Sequence, residues 1–490
     1  MSSPSSQAQR VARNFTWLSL QEAVIRIVGL VLAVYLARTL SPASYGELGL
    51  ALAIVAIATT QVQAGTGSRA TRQTALNPGA VPDIHAQLIG FRITVAAVAI
   101  VVLLAMAPLL SELLSFPTVL LGLCALLLLR PALTVVWAFR GLDQMHVTAI
   151  ADMIEKVLTL LGVVLLVRGQ GNDVLWAPVV EVAAGLLMVV WLRRRLSHVY
   201  PGLAIEFRTH DWPDIAREAM PLGLAALMAS LSLHGPVLLL GWLSTAESAA
   251  GFLVAQKVML TFAALVIVIN RAAFPSTSRL LTGDSADALA LLANLLRYYL
   301  VMIAPMFVLI AFFAEPFLVW LFGAEYAGTG LTLIVLLVAL PFLALNHFQL
   351  FLLRALPRPR WVLITRIVGA VVLLPLAVVL IPRAGMPGAA MAYVGSEIAA
   401  MAMLLFVVRE ATGGLPLNLR CAGPIVAGAA AALAYWLAAD WPILLSLPLA
   451  VVIYVAAVLL TGGVTVDELR ALPELVRRTV REPTQPKSAN

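Results

Sequence analysis

The residues of this chain that could do chemistry are polar and charged side chains set inside long apolar runs. Glu22 and Arg26 are four residues apart, and Asp152, Glu155 and Lys156 fall within about one helical turn. Gln256 adjoins Lys257, Arg130 precedes Pro131, Arg366 stands alone, and Glu181 and Glu397 sit in two similar alanine-rich stretches. An ionised group within a bilayer costs roughly 3 kcal/mol on insertion scales, so it faces a wet cavity, an opposite charge or an ionic ligand. Arginine and lysine there suit an anionic group gripped by exchangeable contacts. The spacing of Glu22/Arg26 and of Asp152/Lys156 fits intrahelical ion pairs equally well, and Arg130 and Glu181 equally fit membrane-edge positions from which they snorkel. Lys257 and Arg366 have no acidic residue at helical spacing; they need a partner from another helix, a cavity or an anionic ligand. Enzyme motifs are missing: no phosphate-binding Gly-rich loop, no His-Glu-x-x-His, no paired His/Cys spacing. The sequence therefore reads as a non-enzyme with no resident cofactor or metal, a coupling H+ or Na+ aside.

The elements that must position these groups follow from composition. The chain has 490 residues, 61% hydrophobic and 12% charged, the latter about half the share of a soluble domain. Its mean hydropathy of +0.97 excludes a secreted enzyme, a disordered scaffold and a soluble nucleic-acid binder, leaving an all-α polytopic membrane protein. Two cysteines, Cys124 and Cys421, exclude a disulfide framework. Counting about 20 apolar residues per crossing predicts fourteen transmembrane helices, from 15–37 to 442–460. With the N-terminus inside, 24 of the 32 Lys and Arg fall in inner segments, 3 in outer ones and 5 within helices. This asymmetry predicts two cytoplasmic termini. Residues 1–13 lack the apolar core and cleavage site of a signal peptide.

The two halves echo each other. Phe139-Arg140-Gly141-Leu142 corresponds to Leu353-Arg354-Ala355-Leu356 at an offset of 214, and Glu181-Val182-Ala183-Ala184 to Glu397-Ile398-Ala399-Ala400 at 216. Six helices per copy give parallel repeats, a transporter arrangement with the substrate path between the lobes. The predicted organisation is an N-lobe over 1–192, a cytoplasmic linker over 193–218, a C-lobe over 219–410, two further helices over 411–463 and an amphipathic cytoplasmic tail over 464–490. At the same offset Arg366 replaces Asp152, so a cross-lobe ion pair between them is a further expectation.

Several stretches resemble a known family. They are Leu36-Ala37-Arg38-Thr39-Leu40-Ser41-Pro42-Ala43-Ser44-Tyr45-Gly46, Phe274-Pro275-Ser276-Thr277-Ser278-Arg279, Leu321-Phe322-Gly323-Ala324-Glu325-Tyr326 and Ile381-Pro382-Arg383-Ala384-Gly385-Met386-Pro387-Gly388-Ala389-Ala390. Over about residues 10–410 the chain is similar to the Wzx-type oligosaccharide-lipid flippases of the multidrug/oligosaccharidyl-lipid/polysaccharide exporter superfamily. The resemblance implies two six-helix lobes in a V, with two extra C-terminal helices, in a bacterial inner membrane. It also implies an undecaprenyl-diphosphate-linked oligosaccharide as cargo, turned to the outer leaflet by alternating access, with a polysaccharide polymerase and chain-length proteins as partners and no nucleic acid. Arg26 and Lys257 fall on the first and eighth helices, where related flippases carry cavity cations; Arg366, Lys156, Arg130 and Gln256 complete the expected substrate set. Glu22, Asp152, Glu155, Glu397 and Glu181 are the expected ion-coupling groups. The chain differs from many members in carrying Lys156 and Lys257 and an arginine-rich central linker. The alternatives are a small-molecule multidrug antiporter, which would call for net acidic cavity walls, and a peptidoglycan-precursor flippase.

Overall fold

Long runs of alanine, leucine and valine must satisfy their backbone groups within one segment if lipid surrounds them. Here they fold as helices. The computed structural model describes residues 4–63, 65–280, 285–355, 360–412, 419–438, 441 and 443–464, and no strand occurs among them. In chain order the helices are α1 (Pro4–Thr39), α2 (Pro42–Gln63), α3 (Thr66–Leu76), α4 (Val81–Leu114), α5 (Thr118–Ala125), α6 (Leu129–Leu133), α7 (Val136–Gly141), α8 (Met145–Leu166), α9 (Trp176–Val199), α10 (Trp212–Leu243), α11 (Ala246–Leu280), α12 (Ser285–Phe322), α13 (Gly330–Ala355), α14 (Arg360–Thr412), α15 (Ala422–Leu437) and α16 (Ile443–Leu460). The amphipathic tail expected after Val464 lies outside the described residues.

The fourteen expected apolar runs are helical; among the described residues seven spans are long and apolar enough to cross a membrane, eight with the bent α12, and three shorter apolar helices add to them. The fourth is the segmented run α5–α7, and α14 holds the eleventh and twelfth, which meet at Gly385 with φ 56° and ψ −129°. Only glycine adopts that conformation readily, and Gly388 is so near that a Cβ would stand 2.2 Å from the Leu380 carbonyl oxygen. The fourth crossing breaks because Pro131 has no N–H to donate and its ring crowds the turn before it. A 3₁₀ turn precedes Pro131, and Thr134 is extended after it (φ −69°, ψ 141°). Arg92, only 3% exposed, donates to the Thr66 hydroxyl at 2.9 Å beside this break. In α12 the stretches Leu296–Val308 and Phe312–Phe322 are bent by 72°, with Pro316 leaving the Phe312 carbonyl without a helical partner.

The end of the bundle bearing the N-terminus is called the near end, and the opposite one the far end. At the far end, the α1–α2 and α10–α11 turns share one device. Ser44 N–H donates to Ser41 Oγ at 3.2 Å, and Ser248 N–H to Thr245 Oγ1 at 3.2 Å, each capping the following helix. Small residues beside these caps bring the halves together: a Cβ on Gly46 would stand 1.9 Å from the Ala246 carbonyl oxygen, and one on Gly49 2.0 Å from Leu253 Cδ1. Arg38 Nε donates to the Leu321 carbonyl at 2.9 Å and its Nη2 donates to that of Trp320, two carbonyls in the last turn of α12. Tyr326 Oη donates back to the Ala37 carbonyl at 3.4 Å and stacks edge-on with Tyr45. The far end is thus closed, and one apolar core runs through residues of both halves. α15 and α16 pack outside, on α12, through Tyr435 against Phe312 and the Tyr454 hydroxyl on the Val301 carbonyl at 2.6 Å.

Candidate translocation chamber

Between α1, α2, α6, α8, α9, α10 and α11 lies a chamber of about 710 Å³. Tyr45 and Leu253 line it toward the closed far end, and Glu22, Gln63 and Thr261 line it toward the near end. Leucine, valine, alanine and glycine make up about half of its walls. Gly29 faces open space there, since a Cβ at that position would meet nothing within 4 Å.

The charges line this chamber. Four cations, Arg26, Arg130, Lys156 and Lys257, stand with three carboxylates, Glu22, Glu155 and Glu181, together with Gln256 and His234. Helical periodicity brings Glu22 and Arg26 onto one face of α1, where the expected intrahelical pair forms at 2.9 Å. The same spacing on α8 has the opposite outcome. Asp152 and Lys156 do not pair: Asp152 accepts from Arg130 at 3.0 Å and from Gln21 Nε2 at 2.7 Å, whereas Lys156 reaches across to Glu181 on α9 at 3.0 Å. The opening in the fourth crossing explains this. It projects Arg130 between α8 and α9, where it takes both Asp152 and Glu155, the latter at 2.7 Å. Gly185 on α9 leaves room for the arginine stem, as a Cβ there would lie 3.1 Å from Arg130 Cδ. Arg130 and Glu181 are therefore cross-helix partners in a polar wall rather than snorkelling groups.

Lys257 differs from the other cations. It is the exposed residue in an otherwise buried stretch, 251–259, and it lines the chamber. Among the described residues no carboxylate lies within ion-pair distance of its ammonium, although Glu181, Lys156 and Arg26 are in electrostatic range. Its neighbour Gln256 is buried and donates to the Leu233 carbonyl at 2.9 Å, which ties α11 to α10.

Three expected site residues do not line the chamber: Asp152 lies behind its wall, and Arg366 and Glu397 lie elsewhere. Arg366 lines a separate small void with Asn346, Thr365, Ala400 and Leu404, and the cross-lobe pair with Asp152 does not form because Asp152 is engaged by Arg130 and Gln21. Glu397, at the repeat position of Glu181, is 5% exposed and accepts from Asn346 Nδ2 at 2.7 Å. Sequence reasoning missed His234, Thr159 and Gln21. His234 carried a signal, being one of two histidines within predicted helices. Gln21 is an ordinary polar residue near the start of a span, and only the packing of α1 on α8 gives it a role.

A closed far end, a polar chamber between two helical halves and a set of helices long and apolar enough to cross a bilayer define an integral membrane protein. Residues 11–281, more than half of the chain, match the family described as "Polysaccharide biosynthesis protein". The chain belongs to that polysaccharide biosynthesis protein family. A protein of Shigella dysenteriae described as "Putative O-antigen transporter" is 26% identical over 204 residues, 41% of this chain and 49% of the relative; the match thus spans about half the length of that curated relative. Among solved structures, the lipid II flippase MurJ in an inward closed conformation superposes with a TM-score of 0.75 at 13% identity, covering 93% of this chain and 99% of MurJ. An inward-facing multidrug resistance MATE family transporter of the MOP superfamily gives 0.63 at 14% identity over 80% of this chain and 98% of its own. A mutant of the Vibrio cholerae MATE transporter VcmN gives 0.56 at 15% identity over 83% and 97%. These likenesses establish the fold.

Proposed function

We propose that the chain turns an undecaprenyl-diphosphate-linked oligosaccharide from the cytoplasmic to the outer leaflet of a bacterial inner membrane by ion-coupled alternating access, for export of a surface polysaccharide. The observation that carries this reading is Lys257, a cation free of any carboxylate clasp among the described residues, facing a chamber otherwise filled with balanced charges. A diphosphate brings the counter-charge that Lys257 lacks, and a contact with a flexible ammonium is easily released. The chamber sits below a closed far end, as loading from the inner leaflet requires, with both termini cytoplasmic and the lobe boundary in 193–218. Glu22, Glu155 and Glu181 in the chamber, Asp152 behind it and Glu397 apart from it are the candidate carriers of a coupling proton or sodium ion. A polymerase and chain-length proteins are proposed to take over the exported unit.

The decisive experiment is deletion of the gene followed by mass spectrometry of membrane lipids and complementation with Lys257→Ala. Build-up of one undecaprenyl-linked oligosaccharide, not cleared by the variant, is the expected result. Normal surface polysaccharide with Lys257→Ala would overturn the anchoring role. Build-up of a peptidoglycan precursor instead would move the chain to the alternative that its overlap with the MurJ fold favours.

A further inference from the structure

Three of the four chamber cations are already neutralised by carboxylates of the chain itself, but not equally. Arg130 is held by two carboxylates at 3.0 and 2.7 Å, one of them, Glu155, with its side chain only 3% exposed. Arg26 pairs with a neighbour on its own helix at 2.9 Å. The Lys156–Glu181 pair spans two helices through one 3.0 Å contact, and both side chains, 27% and 29% exposed, face the same space as Lys257. A pair this open to the chamber is held less firmly than one sealed from solvent. It is the clasp that an entering anion displaces most readily, since breaking the Arg130 cluster would strand a buried carboxylate. Glu181 would not be stranded in the same way, because Arg130 and Lys257 stay within electrostatic range of it.

We propose that Lys156 is a masked second anchor and Glu181 its mask. Lys257 takes a first phosphoryl group, and a second displaces Glu181 from Lys156, so that Glu181 makes the chamber select a diphosphate over a monophosphate. A lone phosphoryl group finds its counter-charge at Lys257 and is repelled by the resident Glu181 carboxylate. Only a ligand bringing a second charged group recovers the loss of the existing pair, which is selectivity by an unfavourable competitor contact. This inference rests on Lys257 being the headgroup anchor.

The test measures binding of undecaprenyl diphosphate and undecaprenyl monophosphate to the full chain in nanodiscs, for the unmodified protein and for Lys156→Gln, Glu181→Gln and Lys257→Gln. The unmodified chain is expected to prefer the diphosphate by about tenfold, the equivalent of one 1.4 kcal/mol contact. Lys156→Gln removes most of that preference, weakening the diphosphate about tenfold and the monophosphate less than about twofold. Glu181→Gln tightens binding of both lipids, a gain that a merely damaged protein would not show. If Lys156→Gln weakens both lipids alike or neither, or Glu181→Gln weakens the diphosphate, the masking idea is overturned while the anchor stands. If Lys257→Gln leaves diphosphate binding unchanged, the anchor itself fails, and the masking idea with it.

Discussion

The two walls of the chamber are built on different principles. The N-terminal wall, from α1, α6, α8 and α9, is a lattice of carboxylates and cations in which each charge answers another within 3.0 Å. The C-terminal wall, from α10 and α11, contributes one ammonium, one histidine and an amide turned to the backbone. A self-neutralising wall adds little net attraction for an anion but offers many exchangeable hydrogen bonds; a lone cation opposite it supplies the attraction. On the proposed function, polar recognition would fall to one half of the chain and charge to the other.

This contrast can be broken or sharpened by substitution. The largest effect is expected from Lys257→Glu, which removes the one unclasped cation among the described residues of the chamber and adds a fourth carboxylate. Surface polysaccharide, followed by gel analysis in a complemented deletion strain, should fall to the level of the deletion, and Lys257→Arg should recover much of it. Next comes Gly46→Val, where a side chain would overlap the Ala246 carbonyl. Overpacking of this sort costs about 1–3 kcal/mol and is expected to prop the far end apart, so that a cysteine placed at Leu48 becomes reactive to a membrane-impermeant thiol reagent from the outside. Arg130→Met leaves Glu155 buried without its partner; a loss of about 2–4 kcal/mol is expected in thermal unfolding, with recovery when Asp152→Asn and Glu155→Gln are added. The smallest effect belongs to Arg366→Ala, outside the chamber, with less than about twofold change in polysaccharide output. A loss comparable to Lys257→Glu would show that the C-terminal half carries a second site. For Glu397→Gln, gradient dependence of lipid flipping in proteoliposomes is the relevant reading, and an unchanged dependence would remove it from the coupling set.

Much of the fold was legible because hydropathy marks where each apolar helix runs. The expected runs are helical, and Gly385 and Pro131 mark two places where a run is interrupted. The site was legible by residue type and less so by partner. Spacing on one helix allowed an ion pair at both Glu22–Arg26 and Asp152–Lys156; the first forms and the second does not, because the second depends on where the broken fourth crossing delivers Arg130. Arg366 and Glu397, singled out by type and position in the sequence, stand apart from the chamber. Sequence periodicity reports which face a residue occupies on its own helix; which neighbour that face meets is settled by crossings far away in the chain.

The seam at the far end has a mechanical corollary. Two of its polar fastenings join a guanidinium to exposed carbonyls of a helix terminus, groups that trade one partner for water with little net change in free energy. What resists parting is therefore the buried Tyr326–Ala37 bond and the close fit around Gly46 and Gly49, short-range contacts that vanish once the helices move apart by about the width of a methyl group. Such a joint behaves as a brittle weld: rigid until the first molecules of solvent wedge in, then offering no further resistance.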